Sequence, residues 1–302
     1  MASSGVSSTA SAITGIPPIL TFNNGSGWTE TNQNVSTAPF NNNVLTLTDG
    51  SGSEARAAFF NAWEYIGGFV AFFTYQEAPG SSPLADGTTF CVQNCPTGVN
   101  ALGLAGGDFG YSFISPSAAF EMNLYSGANG GSGIQFGTNG LTADSTPNVA
   151  PYYAPGSVSL TSGDPINVTI YYDGSLMHLW MADTTAGTSY NTTYAFGSLP
   201  VSFGSPAGYV GFTGATGGEN SIQTISSFSF SYTTPPVLSV AETAAGVVVS
   251  WPISVATQFV LQESSAVTGP WANVSSSVVN GQNQITVNPA LAAHMFYRLR
   301  LQ

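Results

Sequence analysis

Acidic side chains are the first candidates for catalytic chemistry in this chain, because paired carboxyl groups can act as acid and nucleophile. A retaining glycosidase needs two of them about 5–5.5 Å apart, which on one strand means neighbours on one face, two or four residues apart. Glu121 is followed by Asn123 and then by no acid until Asp144, so it has no such partner on its own strand. A pair from separate strands, such as Glu64 and Glu121, remains an alternative.

Two cysteines, Cys91 and Cys95, lie in the segment FCVQNCPTG. A disulfide between them would close a small ring and needs a sharp turn, which Cys-Pro and the following Thr-Gly favour. We expect a Cys91–Cys95 disulfide if the protein is secreted, and two reduced thiols are the alternative. Zinc binding by this pair alone is not expected, because zinc needs two further ligands and no other Cys or His is near in sequence.

The two histidines, His178 and His294, are far apart and have apolar neighbours. An isolated imidazole in such surroundings is typical of a structural position. We therefore interpret both as strand residues rather than as catalytic bases.

The composition argues against several classes of protein. The 302 residues include 3 arginines, no lysine and 15 acidic residues, for a formal net charge of -12. Nucleic acids and anionic membrane surfaces both require basic side chains, so neither is an expected partner. No apolar run approaches the roughly 18–20 residues that span a bilayer. With 43% hydrophobic and only 6% charged residues, the sequence indicates a β-rich globular protein with a hydroxyl- and amide-rich surface.

Short strand patterns recur between clusters of Gly, Asn, Ser and Pro. From Phe228 to Tyr232 aromatic residues alternate with serines, and Asp173-Gly174 is a two-residue hairpin signal. No segment keeps an apolar period of 3.6 long enough for a major helix. This pattern predicts an all-β sandwich of antiparallel sheets. The clearest predicted strands are residues 19–22, 44–48, 57–60, 69–75, 88–93, 118–124, 166–172, 177–182, 208–213 and 223–232.

A domain boundary is predicted at Thr233 to Pro236, because two prolines cannot continue a central strand and they stiffen a linker. The segment after it is again strand-rich and has two tryptophans of its own. Residues 1–16 have neither a basic nor an apolar signal-peptide region and are interpreted as a flexible lead. We predict this lead, a main domain at 17–234 and a small β-sandwich at 235–302. We also expect a secreted or cell-surface location, with any export signal already removed.

A series of motifs runs through the main domain in a fixed order. The order of these motifs resembles that of the legume-lectin-like (L-type lectin) family, and their spacing is most similar to that of bacterial members. The motifs are LTFNNGSGWTETN with NNNVLTLTDG, ARAAFFNAW with FVAFFTYQ, LADGTTF, GGDFGY, AFEMN, VTIYYDGSLMHLWMAD, and YVGFTGATG with ENSIQTISSFSFSY.

The resemblance implies a concanavalin-like jelly roll with sugar-binding loops over its concave face, and therefore a glycan or polysaccharide partner. It implies that Asp86 accepts hydrogen bonds from two sugar hydroxyls, because charge-assisted bonds are strong. Gly107 would let the backbone approach the ligand. Asn129 would supply an amide and Tyr125 an aromatic face. An ordinary turn is the alternative for Asp86-Gly87. The fourth loop would select the sugar through Gly217, Gly218 and Glu219.

The family's metal-binding strand usually reads Glu-x-Asp, then an aromatic residue and Asn, with Asp and His further on. Here it reads EMNLYSGAN, with Gly127 at the aligned Asn, Ser132 in the region of the later Asp, and no His. We expect no transition metal, because such a site needs imidazole and carboxylates together. A weak calcium site is still expected, because calcium accepts neutral oxygens. Its ligands would be Glu121, Asn123, the Tyr125 carbonyl and Asn129. Alternatively, Glu121 and Asn123 are polar residues on the solvated face of a strand.

The C-terminal segment loosely resembles small fibronectin-III-like or immunoglobulin-like modules of bacterial secreted proteins. The resemblance is carried by Trp251-Pro252, FVLQ, GPW and FYRLR. Trp251 and Trp271 are predicted core residues of this module.

Three functions are compatible with these observations. A secreted carbohydrate-binding protein without catalysis is the favoured prediction. A glycoside hydrolase on the same fold would need the carboxylate pair described above. A structural or adhesive surface protein that has lost sugar binding would explain the altered metal strand.

Overall fold

The computed structural model describes residues 19–144, 149–205, 207–233, 238–243, 246–252, 259–279, 282–287 and 295–301. Their regular secondary structure is almost entirely antiparallel β-strand, which confirms the predicted all-β class. Contacts divide the chain into two compact units, Pro17–Thr233 and a unit that includes Thr234–Gln302. Among the described residues, no helix has the length and apolar character needed to cross a bilayer.

The first unit consists of two seven-stranded sheets, counted over the described residues. The strands are numbered in chain order. The first sheet contains, side by side, β1 (Trp28–Gln33), β4 (Ala55–Phe60), β13 (Ala207–Ala215), β7 (Gly87–Gln93), β8 (Ser117–Asn123) and β9 (Gly133–Thr138), and β5 (Glu64–Tyr65) pairs with the beginning of β13. The second contains β12 (Thr188–Ala195), β11 (Leu176–Asp183), β10 (Ile166–Tyr172), β6 (Phe69–Ala78), β14 (Ile222–Tyr232), β3 (Val44–Asp49) and β2 (Phe40–Asn41).

The helices of the first unit are short. Among its described residues, three are 3₁₀ turns at Asn23–Gly25, Gly98–Asn100 and Gly106–Asp108, and the fourth is α1 at Leu199–Phe203. The left-handed Gly204 ends α1. All of them lie in connections between strands, so the sheets alone form the framework of the unit.

The second unit contains a four-stranded and a three-stranded sheet, again counted over the described residues. Trp251 is 2% exposed and lies in a small core with Val249 and Leu261, as predicted. Trp271 is half-buried instead, and the guanidinium carbon of Arg298 lies 4.2 Å from its ring centroid. The four-stranded sheet contains, in order, β15 (Ser239–Thr243), β16 (Gly246–Pro252), β20 (Gln282–Val287) and β19 (Ser277–Val279). The three-stranded sheet contains β18 (Ala272–Val274), β17 (Phe259–Ser264) and β21 (Phe296–Leu301).

Alternating sequence explains how the two large sheets face each other. Along β6, every second residue from Phe69 to Tyr75 is buried, and the residues between them are partly exposed. The alternation predicted in β14 is confirmed, with Phe228 and Phe230 both buried. In each strand the apolar side chains lie on the face that packs against the opposite sheet, because successive side chains point to opposite faces.

Phe212 of β13 lies at the centre of the packing between the sheets. Its ring centroid is 5.8 Å from that of Phe22, 5.1 Å from Phe73, 5.5 Å from Phe90 and 5.1 Å from Phe228. All four rings meet it edge-on, an arrangement that aromatic quadrupoles favour. Phe90 belongs to β7 of the same sheet, whereas Phe73 and Phe228 come from the second sheet. This cluster therefore sets the position of β7 and β13 against the opposite layer.

Arg56 of β4 joins the two sheets by hydrogen bonds. It is 1% exposed, its Nε donates to Glu30 Oε1 at 2.7 Å, and its Nη1 donates to the Thr46 carbonyl in β3 at 2.6 Å. Its Nη2 donates to the Thr37 carbonyl at 2.6 Å. A buried cation is tolerated when it is paired and hydrogen-bonded in this way.

A second apolar cluster lies on the other face of the first sheet, where loops cover it. It combines strand residues such as Phe59 and Ala119 with loop residues such as Phe109, Tyr111 and Tyr152. The loops between β7 and β8 and after β9 are therefore packed against the sheet and hold a defined geometry.

Two local predictions are corrected. Residues 19–22 form no strand, and only Leu20 makes an isolated bridge, to Phe230. The connection after Tyr172 has three residues rather than two, because Asp173 Oδ1 accepts hydrogen bonds from the backbone N–H groups of Ser175 and Leu176. His178 lies in β11 as predicted, whereas His294 lies outside the described residues.

The predicted Cys91–Cys95 disulfide is absent, and both cysteines are free thiols. The expected turn does form, because Gly98 N donates to the Cys95 carbonyl at 2.9 Å. Cys91 is buried in the second cluster, and its Sγ lies 3.7 Å from the Val92 carbonyl. Cys95 Sγ lies 3.2 Å from Thr97 Oγ1 instead. Each sulfur therefore has its own polar neighbour.

We expect Phe212→Ala to lower the free energy of unfolding by about 3–5 kcal/mol, because it leaves a cavity between the sheets. Denaturant unfolding of the purified variant measures this change. Phe113→Ala is the matched control, since Phe113 is 77% exposed and surface substitutions cost within about 0.5 kcal/mol. Equal stability of the two variants would show that Phe212 is not central to the packing.

Candidate functional site

The backbone of Asp86 ties together the ends of three strands in the first sheet. Asp86 directly precedes β7, its N–H donates to the Ala215 carbonyl of β13 at 3.1 Å, and the Leu124 N–H after β8 donates to its carbonyl at 2.7 Å. The Ala85–Asp86 peptide bond is cis. A β-carbon on Gly87 would overlap the Met122 carbonyl, so only glycine fits after Asp86. The carboxyl group is thus placed by paired strands.

Two glycine-containing loops meet at this carboxyl group. We call residues 104–110 the second loop and residues 216–220 the fourth loop. Gly106 N donates to the Thr216 carbonyl at 2.9 Å, which joins the two loops. A β-carbon on Gly217 would lie 3.0 Å from Asp86 Oδ2 and 3.3 Å from the Gly106 Cα. The absence of a side chain at Gly217 is what lets its backbone approach both Asp86 and Gly106.

Asp144 is a site residue that the sequence analysis did not identify. A β-carbon on Gly107 would overlap its Oδ2, so the carboxylate of Asp144 lies directly over the second loop. Asp144 is exposed. Its neighbours LTA give no sequence signal for a site, and only the fold brings it to Gly107, more than thirty positions earlier in the chain.

The loop after β8 contains the predicted Tyr125 and Asn129. The ring of Tyr125 is half-buried and packs closely on Gly127, where a β-carbon would overlap it. Asn129 is exposed, and its Nδ2 donates to the Ala143 carbonyl at 3.4 Å, next to Asp144. The structure thus places Asn129 near Asp144, whereas the ring of Tyr125 packs against Gly127 of its own loop.

The fourth loop turns tightly beside the carboxyl group. Gly217 N donates to the Glu219 carbonyl at 3.1 Å. Gly218 is exposed and a β-carbon there would meet no atom within 4 Å. The predicted Gly217 is therefore next to Asp86 and bonded to the Glu219 backbone, whereas Gly218 faces open space.

The carboxyl group of Asp86 is buried although it lies at the end of a loop. It is 7% exposed, and its Oδ2 has no hydrogen-bond partner among the described residues. Burial raises the pKa of Asp86 to about 7, and the negative charges of Asp144 and Glu219 add to the effect, while the Gly217 N–H acts in the opposite direction. The group can therefore gain free energy from any ligand that donates to it.

An acid pair lies behind the fourth loop. Glu54 N donates to Thr216 Oγ1 at 3.0 Å, and Thr216 N donates to the Glu54 carbonyl at 3.0 Å. Asp49 N donates to Glu54 Oε2 at 3.0 Å. Burial and the contact with Asp49 raise the pKa of Glu54 to about 7. Glu54 thus anchors the fourth loop from the interior.

Glu121 is an interior residue of β8 rather than a residue of a solvated face. It is 0% exposed, Tyr152 Oη donates to its Oε2 at 3.2 Å, and a β-carbon on Gly137 would overlap its Oε1. Burial raises the pKa of Glu121 to about 8. The carboxyl group is therefore mostly protonated at neutral pH.

Asn123 closes the loop after β8 by its side-chain amide. It is 1% exposed, which also corrects its alternative placement on a solvated face. Its Nδ2 donates to the carbonyls of Tyr125 at 3.0 Å and Gly131 at 2.8 Å, and Tyr125 N donates to its Oδ1 at 3.2 Å. Ser132 Oγ donates to the Asn123 carbonyl at 3.2 Å. One amide therefore holds both ends of the loop.

These residues do not fit the calcium ion that the resemblance implied. The Tyr125 carbonyl, an expected ligand, accepts the Asn123 amide, and a donor N–H cannot share that position with a cation. The amide of Asn129 is directed to Ala143, and Glu121 is bound to Tyr152. In the described part of the chain, no three His, Cys, Asp or Glu residues are grouped so as to hold a metal. The expected ligand set Glu121, Asn123, Tyr125 and Asn129 is therefore corrected.

The carboxylate pair that a glycosidase would need is also not formed by Glu64 and Glu121. Glu64 pairs with Gly208 at the beginning of β13, whereas Glu121 lies level with Thr213 through Thr89 of β7. Five residues along a strand span about 16 Å, which exceeds the roughly 5–9.5 Å of glycosidase pairs.

The strand order and loops agree with a known family. The legume lectin domain model matches residues 26–244, well over half of the chain. The chain belongs to the legume lectin family. The predicted jelly-roll architecture of the first unit is thereby confirmed. The match continues past Thr233, where the first compact unit ends.

Solved plant lectins share the fold of this legume lectin domain. The Bauhinia forficata lectin in complex with GalNAc has a TM-score of 0.58 and 18% identity, covering 72% of this chain and 99% of its own. Basic winged bean lectin with Tn-antigen has a TM-score of 0.55 and 22% identity, covering 70% and 94%. Metal-free lectin I-B4 from Griffonia simplicifolia has a TM-score of 0.57 and 16% identity, covering 72% and 100%.

We expect the melting temperature of the wild-type protein to be unchanged by EDTA, because the Asn123 amide already closes the loop. Asn123→Asp should lower it, since a carboxylate would then face the carbonyls of Tyr125 and Gly131. Added calcium should restore much of that loss, because binding to the folded state stabilises it.

Thermal unfolding with chelator and with calcium measures both effects. Asn191→Asp, an exposed residue of β12, is the matched control and should respond to neither. A wild-type protein that loses stability in EDTA would contradict the metal-free reading of this loop.

Proposed function

We propose that this legume lectin domain is a secreted or cell-surface carbohydrate-binding protein without catalytic activity. Its sugar site is the cluster formed by Asp86, the second loop, the fourth loop and Asp144. The observation that carries the proposal is the buried carboxyl group of Asp86. Its Oδ2 has no partner among the described residues, and it lies where two glycine-containing loops converge. The secreted location is supported by composition alone.

The geometry suits a ligand that is rich in hydroxyl groups. A carboxylate accepts from two adjacent hydroxyls, and such charge-assisted bonds are about twice as strong as neutral ones. The backbone of Gly217 lies beside Asp86, and that of Gly106 lies next to Gly217, without side chains to block approach. The half-buried ring of Tyr125 and the exposed amide of Asn129 lie in the neighbouring loop. Structural neighbours in complex with GalNAc and with Tn-antigen support a sugar as the ligand.

The loops of the proposed site are held in place by hydrogen bonds within the protein itself. Asn123 holds the loop after β8, and Glu54 holds the fourth loop through Thr216. Both anchors are made before any ligand arrives. The free energy of sugar binding is therefore not reduced by a cost of ordering these loops.

A structural or adhesive role without sugar binding is the second candidate. It is favoured by the loss of the metal-ligand set at Glu121 and Asn123. A glycan array with and without calcium separates the two candidates. Binding in both conditions supports the proposed site, whereas no binding in either condition supports the structural role.

For a sugar that the wild type binds, we expect Asp86→Asn to weaken binding by about 1.5–3 kcal/mol, the cost of losing hydrogen bonds to a charged group. Calorimetry measures the change. Glu64→Gln is the control, because Glu64 pairs at the opposite end of β13 from the fourth loop. Unchanged affinity in a folded Asp86→Asn variant would remove Asp86 from the site.

Binding of a neutral sugar should also depend on pH. Because the pKa of Asp86 is about 7 in the free protein, the carboxylate becomes protonated as the pH falls through that value. Affinity should then decrease by about tenfold per pH unit below it, and level off above it. Calorimetric titrations across this range measure the profile. Asp86→Asn should flatten it, and a wild-type profile that is already flat would contradict the role of the ionised carboxylate.

A further inference from the structure

Three carboxyl groups surround the proposed sugar site. Asp144 lies over Gly107 of the second loop, Glu219 belongs to the fourth loop, and both act electrostatically on Asp86. Residues 145–148, which follow Asp144, add no charged side chain to the sequence. The loop cluster is therefore strongly negative.

No cation of the first unit balances these charges. Arg56 is the only Lys or Arg between residues 17 and 233, a stretch that holds all acidic residues except Glu242 and Glu263. Arg56 is 1% exposed, and its three nitrogens are bound to Glu30 and to backbone carbonyls. His178 lies 3.4 Å from Asp173 at the β10–β11 turn.

A neutral hydroxyl can satisfy the hydrogen bonding of Asp86, but it leaves this charge uncompensated. Asp86 is more than nine-tenths buried and its Oδ2 has no partner among the described residues. Coulomb interactions are strengthened at such a poorly solvated position. A ligand that brings its own positive charge and N–H donors would meet both needs at once.

We propose that the preferred ligand of the site formed by Asp86, Asp144 and Glu219 is an amino sugar whose amine is free and protonated. This inference rests on the proposed function, since it names the ligand class of that same site. The ammonium group donates to Asp86, while Asp144 and Glu219 contribute longer-range attraction. N-acetylation removes the charge, and a uronic acid reverses it, so both modifications weaken binding.

A divalent cation is the competing way to balance the carboxylates. The described residues do not group three acidic, histidine or cysteine side chains at metal-binding distance. An ammonium group needs only one close carboxylate, which Asp86 can supply, while Asp144 and Glu219 add negative charge from neighbouring loops. The test therefore includes a chelator.

The experiment is calorimetric titration of the full chain at neutral pH and low salt in EDTA. The ligands are glucosamine and galactosamine, their N-acetylated forms, glucose and galactose, and the corresponding uronic acids. We expect at least one amine to bind about tenfold or more tightly than its N-acetylated form. Added salt should reduce this ratio, because it screens the charges of Asp144 and Glu219.

Variants assign the preference to the named residues. Asp144→Asn with Glu219→Gln should reduce the ratio of amine to neutral-sugar affinity several-fold, whereas Glu64→Gln should retain it. Amines that bind no better than N-acetylated sugars overturn the inference, as does a preference unaffected by the double variant. Sugar binding that appears only on addition of calcium also overturns it, in favour of a cation. The proposed function is judged separately, by whether neutral sugars bind through Asp86.

Discussion

The edge-on packing of aromatic rings around Phe212 is the interaction on which the site depends. It fixes β13 and β7 against the second sheet through Phe73, Phe90 and Phe228. Asp86 directly precedes β7, and the fourth loop directly follows β13. Hydrogen-bonded strands are rigid along their length. The buried rings around Phe212 therefore determine where the Asp86 carboxyl group lies relative to the two glycine-containing loops. The geometry of the proposed site is a consequence of sheet packing.

Charge imposes the second constraint. The one arginine of the first unit is used inside the fold, where it bridges the sheets through Glu30 and Thr46. The acids of the loop cluster are therefore left without a cation from their own unit. A buried carboxyl group in that position is costly for the free protein, and a suitable ligand recovers the cost. The same buried group thus destabilises the empty site and favours the occupied one.

Asn123 shows how a side-chain amide can hold a loop in which the family resemblance predicted a metal ion. A cation joins a loop by attracting several oxygens, and an amide NH₂ group does the same for two carbonyls at once. The hydrogen bonds to Tyr125 and Gly131 span the loop after β8. Replacement of Asp by Asn in the sequence signals only that a negative charge is missing. That the amide takes over the joining role is visible only when the carbonyls are located.

The sequence by itself determined the all-β class, most strands and the family, and it singled out Asp86 as a candidate, because alternation, turn residues and motif order are local properties. Only the tertiary structure decided that Glu121 is buried, that the cysteines are unbonded, and that Asp144 joins the site. Those properties depend on contacts between segments far apart in the chain. Burial, charge balance and the pKa of a carboxyl group are set by such contacts, and residue type and spacing do not encode them.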